Sequence, residues 1–370
     1  MNILYDHQIF SLQQYGGVSR YFYEIANRIA ALPGNKVEIF SPLYVNEYFR
    51  HEYKVRPRGI KITPLRGSLS IISEINRIMS RFLVKSRHDV DIFHETYYTK
   101  ANYCPVSAKR IVTVYDMIHE KFAEYFLDAA KVQRKKMHSV HRADHVICIS
   151  ENTKRDLIEI CAVPKEKVSV VYLGCSLTYN INNKAYNQVS VGKPYILYVG
   201  ARSGYKNFER LLRAYASSSL LIREFTLVCF GWRDFLSSEV KLMRSLNISA
   251  GSVLHMSGTD DVLVGLYGSA GAFVYPSLYE GFGIPLLEAM SLGCPVVCSN
   301  TSSLPEVVGD AAELFDPYDE SSMRDAIERV VSSPKYATSL IEKGRRRASL
   351  FSWEKCARET FNVYYKSLES

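Results

Sequence analysis

The sequence has no apolar run long enough to cross a bilayer, no cationic leader at its start and no Cys-x-x-Cys pair. A membrane-spanning helix needs about 20 predominantly apolar residues, so the missing run argues against a protein that crosses a membrane. The opening residues, MNILYDHQIF, lack the charged start and cleavage site of a signal peptide and predict a buried strand instead. We therefore expect a cytoplasmic protein.

The eight cysteines are scattered, and most have apolar neighbours. They are Cys104, Cys148, Cys161, Cys175, Cys229, Cys294, Cys298 and Cys356. Disulfide frameworks and zinc sites show characteristic cysteine spacings, which are missing here. The scatter therefore predicts reduced and mostly buried thiols, which behave as small apolar side chains.

The first half of the chain has fewer acidic than basic residues. Residues 1–180 contain 26 Lys and Arg but only 18 Asp and Glu, whereas the rest of the chain contains 20 of each. Uncompensated positive charge attracts anionic partners, so the first half is expected to meet a membrane surface, a lipid phosphate or a nucleic acid. The length of 370 residues predicts two domains of ordinary size.

Strand-like and helix-like segments alternate along the chain, which is typical of an α/β protein with parallel sheets. The predicted strands are Asn2–Tyr5, Lys36–Phe40, Asp91–His94, Arg110–Tyr115, His145–Ser150, Tyr195–Val199, Thr226–Phe230, Val253–Met256, Ala272–Tyr275 and Pro295–Ser299. The predicted helices include Gly17–Leu32, Asn207–Ser217 and Pro285–Leu292. The Asn-rich stretch 178–193 predicts a linker between a first domain, 1–177, and a second domain, 194–352. The final segment, 353–370, is amphipathic and predicts a helix.

One basic helix stands out in the first domain, within SLSIISEINRIMSRFLVKSR. Its apolar residues follow helical spacing, and Arg77, Arg81 and Lys85 form a cationic stripe beside them. Such a helix either lies on an anionic lipid surface or faces the core with a solvated basic edge. A second basic cluster, formed by Lys131, Arg134, Lys135 and Lys136, favours the lipid surface.

The segment 273–299, FVYPSLYEGFGIPLLEAMSLGCPVVCS, predicts a strand, a glycine-containing loop, a helix and a second strand. Ligands of open α/β sheets bind at the carboxyl ends of strands, and this loop follows such an end. The backbone N–H groups of Phe282, Gly283 and Ile284 start the helix and favour negative charge, and Gly281 and Gly283 allow a ligand to approach the backbone closely.

Two carboxylates border the same loop. Glu280 precedes it and Glu288 follows on the helix. A carboxylate only accepts hydrogen bonds, so both suit the hydroxyls of a ribose or a hexose and neither suits phosphate.

This segment resembles the E-x7-E signature of the retaining GT-B glycosyltransferases of family four. Other stretches resemble the same family, namely QQYGGVSRY (13–21), SENTKRDLI (150–158), VSVVYLG (168–174), YVGARSGYKNFERLLRAY (198–215) and TSSLPEVVGDAAELFDP (301–317). The resemblance implies two Rossmann-like domains facing across a cleft, with the last helix packing back on the first domain. It also implies retaining, metal-independent transfer of a hexose from a nucleotide sugar, without a further cofactor.

The resemblance assigns roles to residues of the second domain. Glu288 would bind the donor ribose, and Glu280 would contact the donor sugar. Lys206 matches the family's diphosphate-binding lysine, whereas Ala201 stands where the family has arginine, so Arg202 is expected to take that role. Gly200 and Gly258 are also expected at the donor site.

Residues at strand ends of the first domain are candidates for the remaining contacts. Gly16 and Gly17, between the first strand and the first helix, are expected to let donor phosphate or acceptor approach the backbone. The expected acceptor-side residues are His94, Tyr115, Asp116 and His119; Asp116 and His119 are the candidates for catalysis, and Tyr115 stands where the family often has histidine.

Other functions fit the sequence less well. Asp89 and Asp91 form an Asp-x-Asp pair, but it opens an apolar strand, so no metal site is expected. Gly281 and Gly283 supply only two glycines of a dinucleotide fingerprint, which leaves a nicotinamide oxidoreductase weakly supported. A sugar-nucleotide epimerase and a nucleic-acid-binding protein remain alternatives.

We therefore expect a mannosyltransferase-like enzyme of bacterial surface polysaccharide synthesis. Its donor is expected to be GDP- or UDP-linked, with mannose favoured. Its acceptor is expected to be a saccharide, lipid-linked at the inner leaflet of the membrane, and no nucleic acid is expected as a partner.

Overall fold

The structure, a computed structural model, describes residues 1–50, 55–65, 67–177, 191–231 and 233–369. The chain divides into two compact units. The first comprises Met1–Gly174 together with Trp353–Ser370, and the second comprises Cys175–Ser352. Most of the predicted linker, 178–190, lies outside the described residues.

The first unit contains a seven-stranded parallel sheet. Its strands are β1 (Asn2–Tyr5), β2 (Lys36–Tyr44), β3 (Pro57–Lys61), β4 (Ile92–Glu95), β5 (Lys109–Val114), β6 (His145–Cys148) and β7 (Val168–Val170), in the order β3-β2-β1-β4-β5-β6-β7. The connecting helices are α1 (Gln8–Leu12), α2 (Gly17–Ala31), α3 (Leu69–Leu83), α4 (Ile118–Lys121), α5 (Ala129–Arg142) and α6 (Glu151–Cys161). The middle strands are buried along almost their whole length, as expected where helices cover both faces.

The second unit repeats this plan with six parallel strands. They are β8 (Tyr195–Val199), β9 (Thr226–Phe230), β10 (Val253–Met256), β11 (Ala272–Tyr275), β12 (Val296–Ser299) and β13 (Ala312–Phe315), in the order β10-β9-β8-β11-β12-β13. Its helices are α7 (Phe208–Ala216), α8 (Ser219–Glu224), α9 (Ser237–Ser245), α10 (Asp260–Ser269), α11 (Ile284–Ser291), α12 (Leu304–Val308), α13 (Glu320–Val331) and α14 (Pro334–Ala348). The prediction of an α/β chain with two parallel sheets is confirmed.

The last helix, α15 (Trp353–Glu369), belongs to the first unit and packs against α2. The hydroxyl of Tyr364 lies 3.1 Å from that of Tyr5 and 2.6 Å from Nδ1 of His94. Tyr5 and His94 are paired residues of the adjacent strands β1 and β4. The end of the chain is therefore hydrogen-bonded into the centre of the first sheet.

Helix α3 has its apolar side facing outward. Its buried residues are Ile72, Asn76 and Ser80, spaced by one helical turn each. Asn76 bonds both the N–H and the carbonyl of Leu43 in β2, at 2.8 and 2.7 Å, and the hydroxyl of Ser80 lies 3.1 Å from Nδ1 of His7. The exposed side carries the large apolar residues Leu69, Ile71, Ile75, Ile78, Met79, Phe82 and Leu83. The alternative of an apolar stripe that faces the core is therefore wrong.

All eight cysteines are free thiols; seven are buried, and Cys175 is partly exposed. No helix in the described part of the chain has both the length and the apolar character that crossing a bilayer requires.

Candidate active site

The candidate site lies at the carboxyl edge of the second sheet. Strands β8 and β11 are neighbours there, but the chain leaves β8 towards β9 on one side and leaves β11 towards β12 on the other. Such a point, where the strand order reverses, opens a crevice between the departing loops and is the usual ligand position in open α/β sheets. The loop after β8 carries Lys206, and the loop after β11 carries Glu280.

Lys206 and Glu280 form a largely buried ion pair. Nζ of Lys206 lies 2.5 Å from Oε1 of Glu280, and the two side chains are 16% and 12% exposed. Nζ also lies 3.4 Å from the hydroxyl of Tyr275. Burial by itself lowers the pKa of Lys206, but the Glu280 carboxylate outweighs it and raises this pKa above its ordinary value. The lysine therefore stays charged at the edge of the sheet.

Hydroxyl groups from a third loop hold the Glu280 backbone. The N–H of Glu280 donates to Oγ of Ser302 at 3.0 Å. Oγ of Ser303 donates to the carbonyls of Glu280 and Phe282, at 2.8 and 3.1 Å. Because this loop follows β12, three adjacent strands contribute to the position of one carboxylate. These serines are not among the predicted site residues, although they lie in the stretch 301–317 that resembles the family.

Gly283 sets the turn into α11. Its φ of +103° lies in the left-handed region, which residues with a Cβ avoid. An added Cβ would also lie 3.0 Å from the Leu286 side chain and 3.1 Å from that of Leu304. Of the three residues predicted to present backbone N–H groups, Phe282 and Gly283 are buried and Ile284 is partly exposed; Gly281 is buried as well.

Glu288 lies on the second turn of α11 and is 8% exposed. The hydroxyl of Tyr267, from α10, donates to its Oε2 at 3.5 Å. Burial, and then the Glu288 charge, raise the pKa of Tyr267 well above its ordinary value, so this tyrosine remains a donor. Sequence pattern does not reveal this partner, because the two residues belong to different helices.

The loop after β8 is tied to the loop after β11. The amide of Asn207 donates to the carbonyls of Pro276 and Pro317 at 3.0 and 2.8 Å. Gly200 begins the loop with φ +127°, and open space surrounds the position of a Cβ there. Gly258, after β10, is exposed, and a Cβ added there would lie 3.0 Å from the Val262 side chain. Lys206 is thus fixed relative to Glu280, and Gly200 leaves the backbone accessible nearby.

Arg202 does not have the surroundings expected of a diphosphate ligand. Its Nε lies 3.0 Å from Oε1 of Glu239, and its Nη2 donates to the carbonyls of Arg233 and Asp234 at 2.9 and 2.8 Å. The guanidinium also lies 4.7 Å from the Phe235 ring centroid. The side chain is 2% exposed, so these partners hold it in the interior.

His94 and Tyr115, which are predicted as acceptor contacts, are buried inside the first unit. His94 is fully buried, with Nδ1 at 2.6 Å from the Tyr364 hydroxyl and Nε2 at 2.9 Å from Oγ1 of Thr113. Burial lowers the pKa of His94 to about 3, so the ring is neutral. The hydroxyl of Tyr115 donates to the carbonyl of Thr96 at 3.1 Å. Both polar groups are occupied inside the fold.

Asp116 and His119 are partly exposed, after β5. Oδ1 of Asp116 accepts from the N–H of Ile118 at 3.1 Å, and the His119 ring lies 4.4 Å from that of Phe126. Lys136, expected on a basic surface, is instead buried, with Nζ at 2.8 Å from the Asp116 carbonyl and 2.7 Å from Oε2 of Glu120. The prediction that Lys136 belongs to a basic surface is therefore wrong. The lysine instead fixes the segment that carries Asp116 and His119.

Gly16 caps α2 and Gly17 is its first residue, and the short helix α1 separates both from β1. A Cβ on Gly16 would overlap the Gln13 carboxamide, whose Oε1 accepts from the N–H of Ser19 at 3.2 Å.

Asp89, the first residue of the Asp-x-Asp pair, forms an ion pair with Arg87, with a carboxylate oxygen 2.7 Å from the guanidinium. Among the described residues, no cluster of three His, Cys, Asp or Glu side chains is placed to hold a metal ion.

Two family models match the sequence, one in each half. The model described as Glycosyltransferase Family 4 matches residues 15–179, and the model described as Glycosyl transferases group 1 matches residues 181–347. The second match contains Lys206, Glu280 and Glu288, so the resemblance carried by the E-x7-E motif is confirmed.

Curated proteins and solved structures agree with these models. The chain is 32% identical over 275 residues to O-antigen chain mannosyltransferase B of Escherichia coli, covering 71% of this chain and 72% of that protein. It is 25% identical over 260 residues to the serotype-specific mannosyltransferase WbdA of Escherichia coli, covering 67% of this chain but only 31% of WbdA. Sucrose-phosphate synthase from Thermosynechococcus elongatus superimposes with a TM-score of 0.74 at 21% identity, over 99% of this chain and 98% of that one.

The similarity to the solved structure shows the GT-B fold with two Rossmann-like domains. The two family models show that the chain is a glycosyltransferase. The buried lysine–glutamate pair lies at the sheet edge where such a fold binds its ligand. The chain therefore belongs to the glycosyltransferases of family four, the group 1 glycosyl transferases.

Proposed function

We propose that the protein transfers mannose from a nucleotide-linked donor, with GDP-mannose favoured, to a saccharide acceptor of bacterial surface polysaccharide synthesis. The observation that carries this proposal is the Lys206–Glu280 pair at the carboxyl edge of the second sheet. The names of the similar O-antigen and serotype-specific mannosyltransferases support mannose as the transferred sugar. A lipid-linked acceptor and a cytoplasmic location belong to the same proposal.

The donor is held through groups of different character. The Glu288 carboxylate accepts hydrogen bonds from the ribose hydroxyls, while Glu280 accepts from hydroxyls of the sugar. Lys206 is the cation nearest Glu280, so it reaches the diphosphate that joins the two hydroxyl-rich parts. With Arg202 held by Glu239, Lys206 is the principal charge of this site.

The reaction proceeds with retention and without a metal ion. The acceptor hydroxyl attacks the anomeric carbon on the face from which the nucleotide leaves, as the bond to the leaving phosphate oxygen breaks. The hydroxyl proton passes to that phosphate oxygen. Lys206 offsets the negative charge that grows on the leaving diphosphate, which is the usual part of a fixed cation in group transfer.

A donor panel tests this proposal. GDP-mannose is expected to raise the melting temperature most among GDP-mannose, UDP-glucose, UDP-galactose and UDP-N-acetylglucosamine, because a ligand that binds only the native state stabilises it. Transfer from GDP-α-mannose is expected to give an α-mannoside, identified by NMR of the product. A β-mannoside would contradict retention, and a larger shift with a UDP-sugar would contradict the assigned donor.

We further propose that α3 rests on an anionic membrane surface. Its outward side exposes Ile71 by 63% and Phe82 by 69%, and Arg81 and Lys85 are exposed beside these residues. Apolar side chains flanked by cations are the usual composition of a helix that lies at a lipid interface. Arg77 contributes less, because it pairs with Glu74 on its own helix.

Vesicle binding tests the membrane proposal. Replacing Arg81 and Lys85 with glutamine is expected to weaken cosedimentation with phosphatidylglycerol vesicles by about 1 kcal/mol per residue. Replacing Ile78 and Phe82 with serine is expected to abolish it. A matched control, with serine at the exposed apolar positions Val106 and Leu236, should bind as the parent does. Unchanged binding by the α3 variants would refute the proposal.

A further inference from the structure

The first unit contains a cavity that the proposed donor site leaves unused. It has a volume of about 480 Å³ and is lined by α1 and the residue before it, by the loop after β4, and by parts of α3, α4 and α5. Strands β1 and β4 are neighbours from which the chain departs in opposite directions, so the cavity lies at the strand-order reversal of the first sheet. Such a position is a ligand site in open α/β sheets.

Positive charge dominates the lining. Lys100, Lys131 and Lys135 line the cavity, and Asp128 is the one acidic residue among the described lining residues. None of the three lysines forms an ion pair within the described ranges, whereas Arg77, also in the lining, pairs with Glu74. The excess of two positive charges is therefore left for a ligand to neutralise.

Two of these lysines lie close enough to repel each other. Lys131 and Lys135 are four residues apart on α5, so they lie on one side of that helix. Burial, and then the neighbouring Lys131, lower the pKa of Lys135. An anion between the two side chains would relieve this repulsion.

An apolar surface adjoins the charged cavity. Ser73 and Arg77 of α3 form part of the cavity wall. The same helix also carries exposed apolar residues, among them Ile75 and Ile78. Leu12, exposed by 44%, adds apolar surface at the cavity itself. A ligand with an anionic group joined to a hydrocarbon chain satisfies both features.

We propose that this cavity binds the diphosphate of a lipid-linked acceptor, with its hydrocarbon chain leaving along α3. A diphosphate that joins a lipid to a sugar carries two negative charges, which equal the excess on the lining. This inference rests on the proposed function, because it names the chemical class of acceptor for the same reaction. Lys131 and Lys135 bind the phosphate oxygens through charge-assisted hydrogen bonds.

Binding of dodecyl-diphospho-N-acetylglucosamine to the full chain tests the assignment. The double variant Lys131→Gln, Lys135→Gln is expected to bind this probe at least about tenfold more weakly, since two charged hydrogen bonds are lost. A control with the same charge change, Arg134→Gln with Lys154→Gln, removes cations that do not line the cavity and should bind as the parent does. Arginine at positions 131 and 135 should restore binding.

Further arms separate the sources of phosphate. Inorganic pyrophosphate that binds as tightly as the lipid probe would identify a free-diphosphate site and overturn the proposal. If the double variant lost binding to phosphatidylglycerol vesicles but not to the lipid probe, the cavity would be a phospholipid headgroup site, which would also overturn the proposal. Equal weakening in the control variant would reduce the effect to net charge and overturn it as well.

Donor binding distinguishes this inference from the proposed function. GDP-mannose binding should be the same in the parent, the cavity variant and the control, because the donor residues lie in the second unit. If the parent binds no nucleotide sugar, the proposed function fails. If donor binding and transfer persist with an unchanged KM for the lipid-linked acceptor in the cavity variant, only the cavity assignment fails.

Discussion

Replacing Lys206 with methionine is expected to lower turnover by about 100- to 1000-fold at saturating donor, the range for loss of one preorganised charge stabiliser. Methionine keeps the length of the side chain and removes its charge. Nζ of Lys206 is fixed by Glu280 at 2.5 Å, so the charge is already in place when the phosphate leaves. The measurement is steady-state transfer with saturating GDP-mannose.

The same substitution also affects stability, so the two effects must be separated. Without Lys206, the buried Glu280 carboxylate loses its partner, at a cost of about 3–5 kcal/mol in unfolding free energy. Adding Glu280→Gln removes the unpaired charge and is expected to recover part of the stability but none of the turnover. Lys241→Met, at an exposed lysine of α9, should change neither. Parental turnover in folded Lys206→Met protein would contradict the assigned role.

Arg202→Met is expected to affect stability but not turnover, by lowering the unfolding free energy by about 3–5 kcal/mol. The substitution leaves Glu239 buried and unpaired and removes the bonds to the carbonyls of Arg233 and Asp234. Folded Arg202→Met protein should retain turnover within a few-fold of the parent. Urea unfolding and transfer kinetics on the same preparation measure both quantities.

A companion variant makes this test specific. Arg202→Met combined with Glu239→Gln should regain part of the lost stability, because glutamine still accepts from the N–H of Leu236, which bonds Oε2 of Glu239 at 2.6 Å. A diphosphate ligand would behave differently. If turnover fell by 100-fold or more with stability unchanged, Arg202 would contact the donor and its structural role would be wrong.

Much of the fold follows from local pattern. Strands such as β8, β9 and β11 were predicted with their observed limits, because each is a short apolar run between polar or glycine-containing turns. The edge strand β3, Pro57–Lys61, was missed because it is mostly exposed and mostly polar. Its hydrogen bonds come from β2, which sequence pattern alone cannot reveal.

The site residues divide according to the range of their contacts. Glu280 and Glu288 belong to one strand–loop–helix segment, so the motif itself places them. Arg202 owes its burial to Glu239 and Phe235, more than 30 residues away. His94 owes its burial to Tyr364, 270 residues away along the chain. Residue type at a strand end predicts ligand contact for both, whereas their burial depends on partners that are distant in the sequence.

The orientation of helix α3 does not follow from its sequence. Its sequence carries an apolar stripe and a basic stripe but does not reveal which side meets the core. The buried side is fixed by Asn76, which bonds the backbone at Leu43, and by Ser80, which contacts His7. Polar side chains thus attach the helix and leave its apolar residues exposed, which is why composition alone left two alternatives open.

The proposed function requires one crevice in the second unit to bind the nucleotide-sugar diphosphate. A crystal structure of the protein with GDP-mannose measures this most directly. We expect the diphosphate to lie within hydrogen-bonding distance of Nζ of Lys206, with ribose hydroxyls on Glu288 and sugar hydroxyls on Glu280. A nucleotide bound away from all three residues would contradict it.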